Sequence, residues 1–314
     1  MTAASAHGVP GGPAHPLLRR IRKDRYLLLL LLPCVAFYVL FRYLPIWGIL
    51  ISFKDYKPFV GFSGSPWVGL KHYRNFFSVP EAWPLVRNTF LLGLYSILWS
   101  FPTPILFALV LNEVRDVRFK KTVQTITYMP HFLSMVIVTG MVISFLSPVR
   151  GPLNGLLKSL GRPEINFFAD PKYFRTIYIA SGVWQDTGWG AIIYLAALSG
   201  INPELYESAV IDGANKMRQI VSITLPMLIP TITMLLLLRV GNVLDVGFEK
   251  VYLLQNPVIY ETADVLSTYV YRQGIRGAQY SFASAIGTFN SVVSLVILLL
   301  ANFASRRLGE TSLW

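Results

Sequence analysis

Tyr26-Leu27-Leu28-Leu29-Leu30-Leu31-Leu32-Pro33-Cys34-Val35-Ala36-Phe37 opens an apolar run that continues to Ser52. A helix needs about 20 mostly apolar residues to cross the hydrocarbon layer of a bilayer, and this run is long enough. Five further stretches of that kind follow, near 86–111, 124–147, 174–199, 226–245 and 280–304. Nothing between them is long or periodic enough to form a separate soluble domain, and no repeat of solenoid type is visible. The pattern predicts an all-α, polytopic membrane protein with six transmembrane helices. Residues 1–25 read as a cytoplasmic tail, 26–305 as one membrane domain and 306–314 as a second cytoplasmic tail.

Composition agrees. Hydrophobic residues make up 54% of the 314-residue chain and charged residues 14%, with a mean hydropathy of +0.51. That balance is too apolar for an ordinary soluble domain, so a lipid bilayer is the expected surrounding. The formal net charge of +12 does not indicate nucleic acid, because the basic residues cluster beside apolar runs instead of lining a solvated face. Cys34 is the only cysteine and lies inside the first run, which leaves no intrachain disulfide and no cysteine-based metal site.

Arg19, Arg20, Arg22, Lys23 and Arg25 precede the first run. The run outlasts a signal-peptide core and lacks a small-x-small cleavage site, so it reads as a retained helix. The basic cluster holds the amino terminus in the cytoplasm, and six crossings return the carboxyl terminus to the same side, as in a multi-pass bacterial inner-membrane protein. Segment 112–123, with Arg115, Arg118, Lys120 and Lys121, then also lies inside. Pro33, Pro45, Pro102, Pro104, Pro130, Pro226 and Pro230 fall in proposed helices and predict kinks, which neighbouring helices can satisfy.

Between the fourth and fifth stretches stands Tyr206-Glu207-Ser208-Ala209-Val210-Ile211-Asp212-Gly213-Ala214, followed by Ile223-Thr224-Leu225-Pro226. Asn202 is a good cap and Pro203 a good first helical residue, so a short helix over 203–211 is expected. Its acidic Glu204 and Glu207 sit toward the positive end of the helix dipole. Gly213 permits a sharp bend, and a second short helix runs through Lys216 and Arg218 to Pro226, where the next span starts.

This segment resembles the EAA loop of binding-protein-dependent ABC importers, with Ser208 where the family's pattern has Ala. The likeness extends along the chain, through Gly64-Ser65-Pro66-Trp67-Val68-Gly69-Leu70, Tyr128-Met129-Pro130-His131-Phe132 and Ser305-Arg306-Arg307-Leu308-Gly309-Glu310. The chain resembles the maltose-type sugar permeases and, more narrowly, the branch associated with polysaccharide fragments and oligouronides such as alginate. The resemblance implies a permease fold of the type I importers and a transport subunit, not an enzyme. ATPase coupling would fall on 203–226, through Glu207, Ser208, Ala209, Asp212, Gly213, Ala214, Leu225 and Pro226. It further implies a second homologous permease, an ATPase dimer that binds ATP and Mg, and an extracytoplasmic solute-binding protein, with no cofactor in this chain.

In maltose-type permeases the sugar is held by the helix before the EAA loop and the helix after it. Trp184 stands at the same spacing from Glu207 as a Trp does there, which puts Gln185, Asp186 and Trp189 at sugar-contacting positions. The same count places Arg239 and Asn242 there. An aromatic face stacks on a sugar ring, amides bond its hydroxyls, and Arg can clamp a uronate carboxylate. Alternatively Asp186 and Arg239 pair with each other or lie at the interface, and Trp189 belongs to an aromatic belt. His131 reads as a packed or capping residue and not as a metal ligand.

Competing functions find less in the residues. There is no Gly-x-x-x-x-Gly-Lys-Ser/Thr phosphate loop, no H-E-x-x-H and no G-x-S-x-G, which argues against an ATPase or a membrane-embedded hydrolase. An ion-coupled secondary transporter would usually carry an inverted repeat. An ABC permease for another solute class would share the loop and differ in its pocket.

Overall fold

The computed structural model describes residues 24–307. The readings that rest on Arg19, Arg20, Arg22 and Lys23, and on the chain after Arg307, lie outside those residues. The chain divides into two compact units, one ending at Ile51 and one beginning at Ser52.

The first unit is helical from Arg25. The α-helix α1 (Arg25–Tyr38) passes into a π-turn at Val39–Tyr43 and then a 3-10 run, Leu44–Phe53. Most of its apolar side chains are exposed, as expected of a surface whose solvent is lipid.

The second unit is built on α2 (Ala82–Tyr95), α3 (Pro102–Glu113), α4 (Val117–Tyr128), α5 (Met135–Phe145) and α6 (Pro171–Ser199). The chain continues through α7 (Pro203–Ile211), α8 (Lys216–Gln219), α9 (Leu225–Gly241), α10 (Phe248–Leu254), α11 (Leu266–Val270) and α12 (Tyr280–Arg307). Among the described residues there is no strand, only an isolated bridge between Lys54 and Trp67.

Four helical stretches are long and apolar enough to cross a membrane: Arg25–Phe53, Ala82–Glu113, Lys216–Gly241 and Tyr280–Arg307. A fifth is broken, because Val117–Phe132 and Met135–Phe145 meet at 102°. Helix α6 covers the remaining expected span with 29 residues, but the polar stretch Gln185-Asp186-Thr187 interrupts its apolar character. The structure therefore gives four or five apolar spans where the sequence pattern predicts six.

The prolines act through register. Three of the four π-turns among the described residues, at 39–43, 96–100 and 220–224, each lie just ahead of a proline: Pro45, Pro102 and Pro226. Proline has no N–H for the residue four back and its ring crowds that carbonyl, so a switch to i→i−5 bonding keeps the helix continuous. This corrects one expectation. Pro226 does not start the fifth span: the helix is continuous from Lys216 through Gly241, so α8 and the span form one rod, which stops short of residue 245. At Pro130, in contrast, the chain breaks into a 3-10 turn, Met129–Phe132, and Ser134 caps the new helix by accepting from Ile137 N.

Helix α6 is the hub. Its lower half joins Ile105, Ala108, Tyr194, Leu198 and Leu228 in one buried cluster, and its upper half brings Phe174 to Leu92, Val246 and Val251 in another. A third cluster packs Phe76 and Leu85 on Tyr269 and Ile286. Lipid gives helices little hydrophobic reason to associate, so close backbone approach through small residues matters. Gly188 supplies it: a Cβ there would overlap the Thr127 carbonyl of α4.

Candidate functional site

The loop from α6 to α9 is made by neighbouring residues. Asn202 Oδ1 accepts from Glu204 N at 3.1 Å and starts α7. At its end, Ala214 N donates to Ala209 O at 2.8 Å and Gly213 N to Val210 O at 3.0 Å, a paired helix stop that requires a left-handed residue. Gly213, at φ +77°, is that residue. Asn215 Oδ1 then caps α8 by accepting from Arg218 N at 2.9 Å.

Glu207, Ser208 and Asp212 are exposed, and Ala209, Ala214 and Leu225 are half-buried. Val210, Ile211 and Met217 are also exposed and make an apolar edge. The loop is fastened to the spans from below: Tyr206, Ile220, Ile223 and Leu225 pack on the Ile105–Leu228 cluster. Tyr206 and Thr224 share a 3.0 Å hydroxyl bond, and Lys216 pairs with Glu113 of α3 at 3.0 Å. Pro226 sits in the first turn of α9.

The residues expected to meet substrate come from two helices, α6 and the end of α9. Gln185, Asp186 and Arg239 line one cavity of about 130 Å³ with Ser96, Ser100 and Lys250. Arg239 and Asn242 line a small adjoining recess with Ser96 and Tyr178. Arg239 Nη2 donates to Ser96 Oγ at 2.6 Å. Asn242 Nδ2 donates back to Leu238 O at 2.9 Å, so its amide is directed by its own helix end.

Asp186 pairs not with Arg239 but with His131, whose Nδ1 lies 3.0 Å from Oδ1. The His131 ring lies flat on Trp189, with centroids 4.7 Å apart and planes 4° apart, while Phe132 meets Trp189 edge-on. Trp189 is thereby joined to the cavity through His131, and the break between α4 and α5 is what delivers that imidazole.

Sequence reasoning did not select His131, Ser96, Ser100 or Lys250 for this site. Ser96 and Ser100 form the ends of the π-turn ahead of Pro102, and π-turns recur at functional sites; the Pro102/Pro104 pair was their available signal. Lys250 had none, since its placement depends on how α10 folds back on α6. It is buried, and its Nζ donates to Tyr178 O at 2.8 Å. Burial lowers its ammonium from the usual lysine range to about 8, with the Asp186 carboxylate pulling the other way.

Chemically, the cavity offers amide, hydroxyl and two strong cationic donors, with the one carboxylate engaged by His131. It can bind polyhydroxylated and anionic ligands through hydrogen bonds. Among the described residues no group of His, Cys, Asp and Glu could hold a metal ion.

The chain belongs to the family of inner membrane components of binding-protein-dependent transport systems, the permease subunits of ABC importers, whose model matches residues 83–310. It is 43% identical to the polygalacturonan/rhamnogalacturonan transport system permease protein YteP of Bacillus subtilis, covering 95% of this chain and 93% of that one. Protein LplB of the same organism is 41% identical over 94% of this chain and 92% of its own.

Among solved structures, it is similar to a chain of a bacterial ABC transporter involved in the import of the acidic polysaccharide alginate. The TM-score is 0.86 and the identity 46%, over 93% of this chain and 98% of that one. A second structure shows the alginate transporter in complex with an alginate pentasaccharide-bound periplasmic protein, with TM-score 0.86 and 45% identity over 95% and 99%. The expected resemblance to the polysaccharide and oligouronide branch is borne out by these relatives.

Proposed function

We propose that this permease imports acidic oligosaccharides by alternating access, together with a second permease, an ATPase dimer and an extracytoplasmic solute-binding protein. The observation that carries the reading is the cavity in which Gln185, Asp186 and Arg239 converge with a cationic majority. The names of the relatives, which handle polygalacturonan, rhamnogalacturonan and alginate, support the same substrate class. The alginate transporter bound to its loaded periplasmic protein supports a binding-protein partner.

Six spans fit this role. Helix α6 has 29 residues, and at about 1.5 Å per residue it exceeds the roughly 30 Å hydrocarbon core. Its Gln185 and Asp186 line the cavity, which is where polar and ionisable groups in membranes belong. Counting α6 and the broken α4–α5 pair as one span each gives six, with both termini and the 203–226 loop in the cytoplasm.

The loop then docks on the ATPase, which holds ATP and Mg in trans, through Glu207, Ser208, Ala209, Asp212, Gly213 and Ala214. Leu225 and Pro226 join it to α9. Moving a two-state transporter almost fully from one side to the other needs about 5.5 kcal/mol of differential binding, which ATP and the binding protein together supply.

The test is reconstitution with the partner subunits in liposomes, following ATP-driven uptake of oligouronides and of neutral oligosaccharides. Uronide uptake that falls at least roughly tenfold in Arg239→Ala, with assembly intact, is the expected result, since charge-assisted bonds are worth about that or more. Uptake of neutral sugars alone would discard the acidic substrate class, and uptake without any ATPase would discard the importer.

A further inference from the structure

We infer that Lys250 is a specificity-determining residue, which together with Arg239 receives a carboxylate of the transported sugar. This rests on the acidic-oligosaccharide reading above. Lys250 belongs to neither helix expected to meet substrate; it reaches the cavity from α10, between the last two spans.

The amine is placed with care. Only 6% of Lys250 is exposed, and its Nζ crosses Gly182 so closely that a Cβ there would come within 3.1 Å of it. The Tyr178 carbonyl accepts from it at 2.8 Å, and the Tyr178 ring lies beneath it at 4.7 Å. Tyr178, Gly182, Gln185, Asp186 and Trp189 fall on one face of α6 by their three- and four-residue spacing, so Nζ lies over the row that lines the cavity.

A lysine ammonium has three donors, and one meets the Tyr178 carbonyl. Among the described residues no carboxylate forms an ion pair with Lys250 or Arg239, and the nearby Asp186 is paired with His131. Two cations, Arg239 and Lys250, share the cavity with one carboxylate, Asp186, which His131 already engages, and leaving the excess positive charge unmatched is costly. A ligand carboxylate offsets that cost, whereas a neutral sugar hydroxyl does so only weakly. Arg239 offers a planar fork and Lys250 a point charge, so the pair selects charge without demanding one fixed orientation. That suits a chain of sugar units passing through.

The competing role is mechanical, a tie between α10 and α6 through the Tyr178 carbonyl. The full importer, with its partner permease, ATPase and binding protein, separates the two. Liposomes would be assayed for uptake of an unbranched oligouronide and for ATP hydrolysis stimulated by the binding protein. Lys250→Gln, which keeps a donor for the carbonyl, is expected to cut uronide uptake roughly tenfold while ATP hydrolysis and assembly stay near wild type. Lys250→Arg, which restores the charge, is expected to recover most of the uptake.

Unchanged uptake in Lys250→Gln overturns the proposal. So does parallel loss of uptake and ATP hydrolysis, or failure to assemble, each of which assigns the amine to the mechanical tie. A wild-type importer that carries neutral oligosaccharides and no uronide would instead defeat the acidic reading itself.

Discussion

The loop at 202–226 and the cavity around Arg239 differ in how far their bonds reach along the chain. The bonds that shape the loop are short-range, Asn202 to Glu204, Ala214 to Ala209 and Asn215 to Arg218, and only its fastenings, Tyr206 to Thr224 and Lys216 to Glu113, reach further. The cavity's are long-range: His131 to Asp186 spans 55 residues, Lys250 to Tyr178 spans 72 and Arg239 to Ser96 spans 143. A local device folds where its own sequence tells it to, and the same device can be carried by relatives that transport unlike solutes. A long-range cavity exists only when several helices meet at the right depth, so small changes in packing can retune or destroy it.

The sharpest way to break this contrast is Gly188→Val. It lies beside the cavity residues, touches none of the loop's bonds, and forces α4 away from α6 where a Cβ already overlaps the Thr127 carbonyl. Overpacking that displaces backbone costs about 3 kcal/mol. The purified complex should fall apart or melt well below wild type in a thermal-shift and size-exclusion comparison, and wild-type melting would refute the close-approach account.

Gly213→Val tests the local side with a smaller penalty. A β-branched residue at φ +77° is strained by roughly 1–2 kcal/mol. The membrane core should assemble normally while binding-protein-stimulated ATP hydrolysis drops several-fold. Loss of assembly would mean that the loop is not the self-contained unit its bonding implies.

Lys216→Ala should do least. Its pair with Glu113 is exposed on the lysine side, at 64%, and exposed ion pairs are worth about 0–1 kcal/mol. Stability should barely move, and coupling should fall by no more than about twofold, checked by uptake per ATP hydrolysed. A larger drop would show that α3 and the loop communicate through this single contact.

The loop was legible because its signals are chemical and adjacent: Asn202 before Pro203 and Gly213 at the bend, whereas the Asn215 cap emerged only in the structure. Gln185, Asp186 and Arg239 come from the resemblance to maltose-type permeases, counted from Trp184, and they do converge on one cavity. His131, which reads as a packed or capping residue, does pack on Trp189; that it also pairs with Asp186 was out of reach, since the break that delivers it cannot be inferred from Pro130 alone. Pro226 misled in the opposite direction, because an upstream π-turn at 220–224 keeps the rod continuous.

The sequence by itself determined the helical membrane character, the family and the local architecture of the loop, through apolar run length, caps and a glycine that only one backbone conformation explains. Tertiary structure alone decided that α4 and α5 meet at 102°, that Asp186 pairs with His131 and not Arg239, and that Lys250 reaches into the cavity. The physical reason is reach. Run length and capping act over a few residues and are written where they act, whereas an ion pair or a cavity wall depends on where distant helices are driven together by packing.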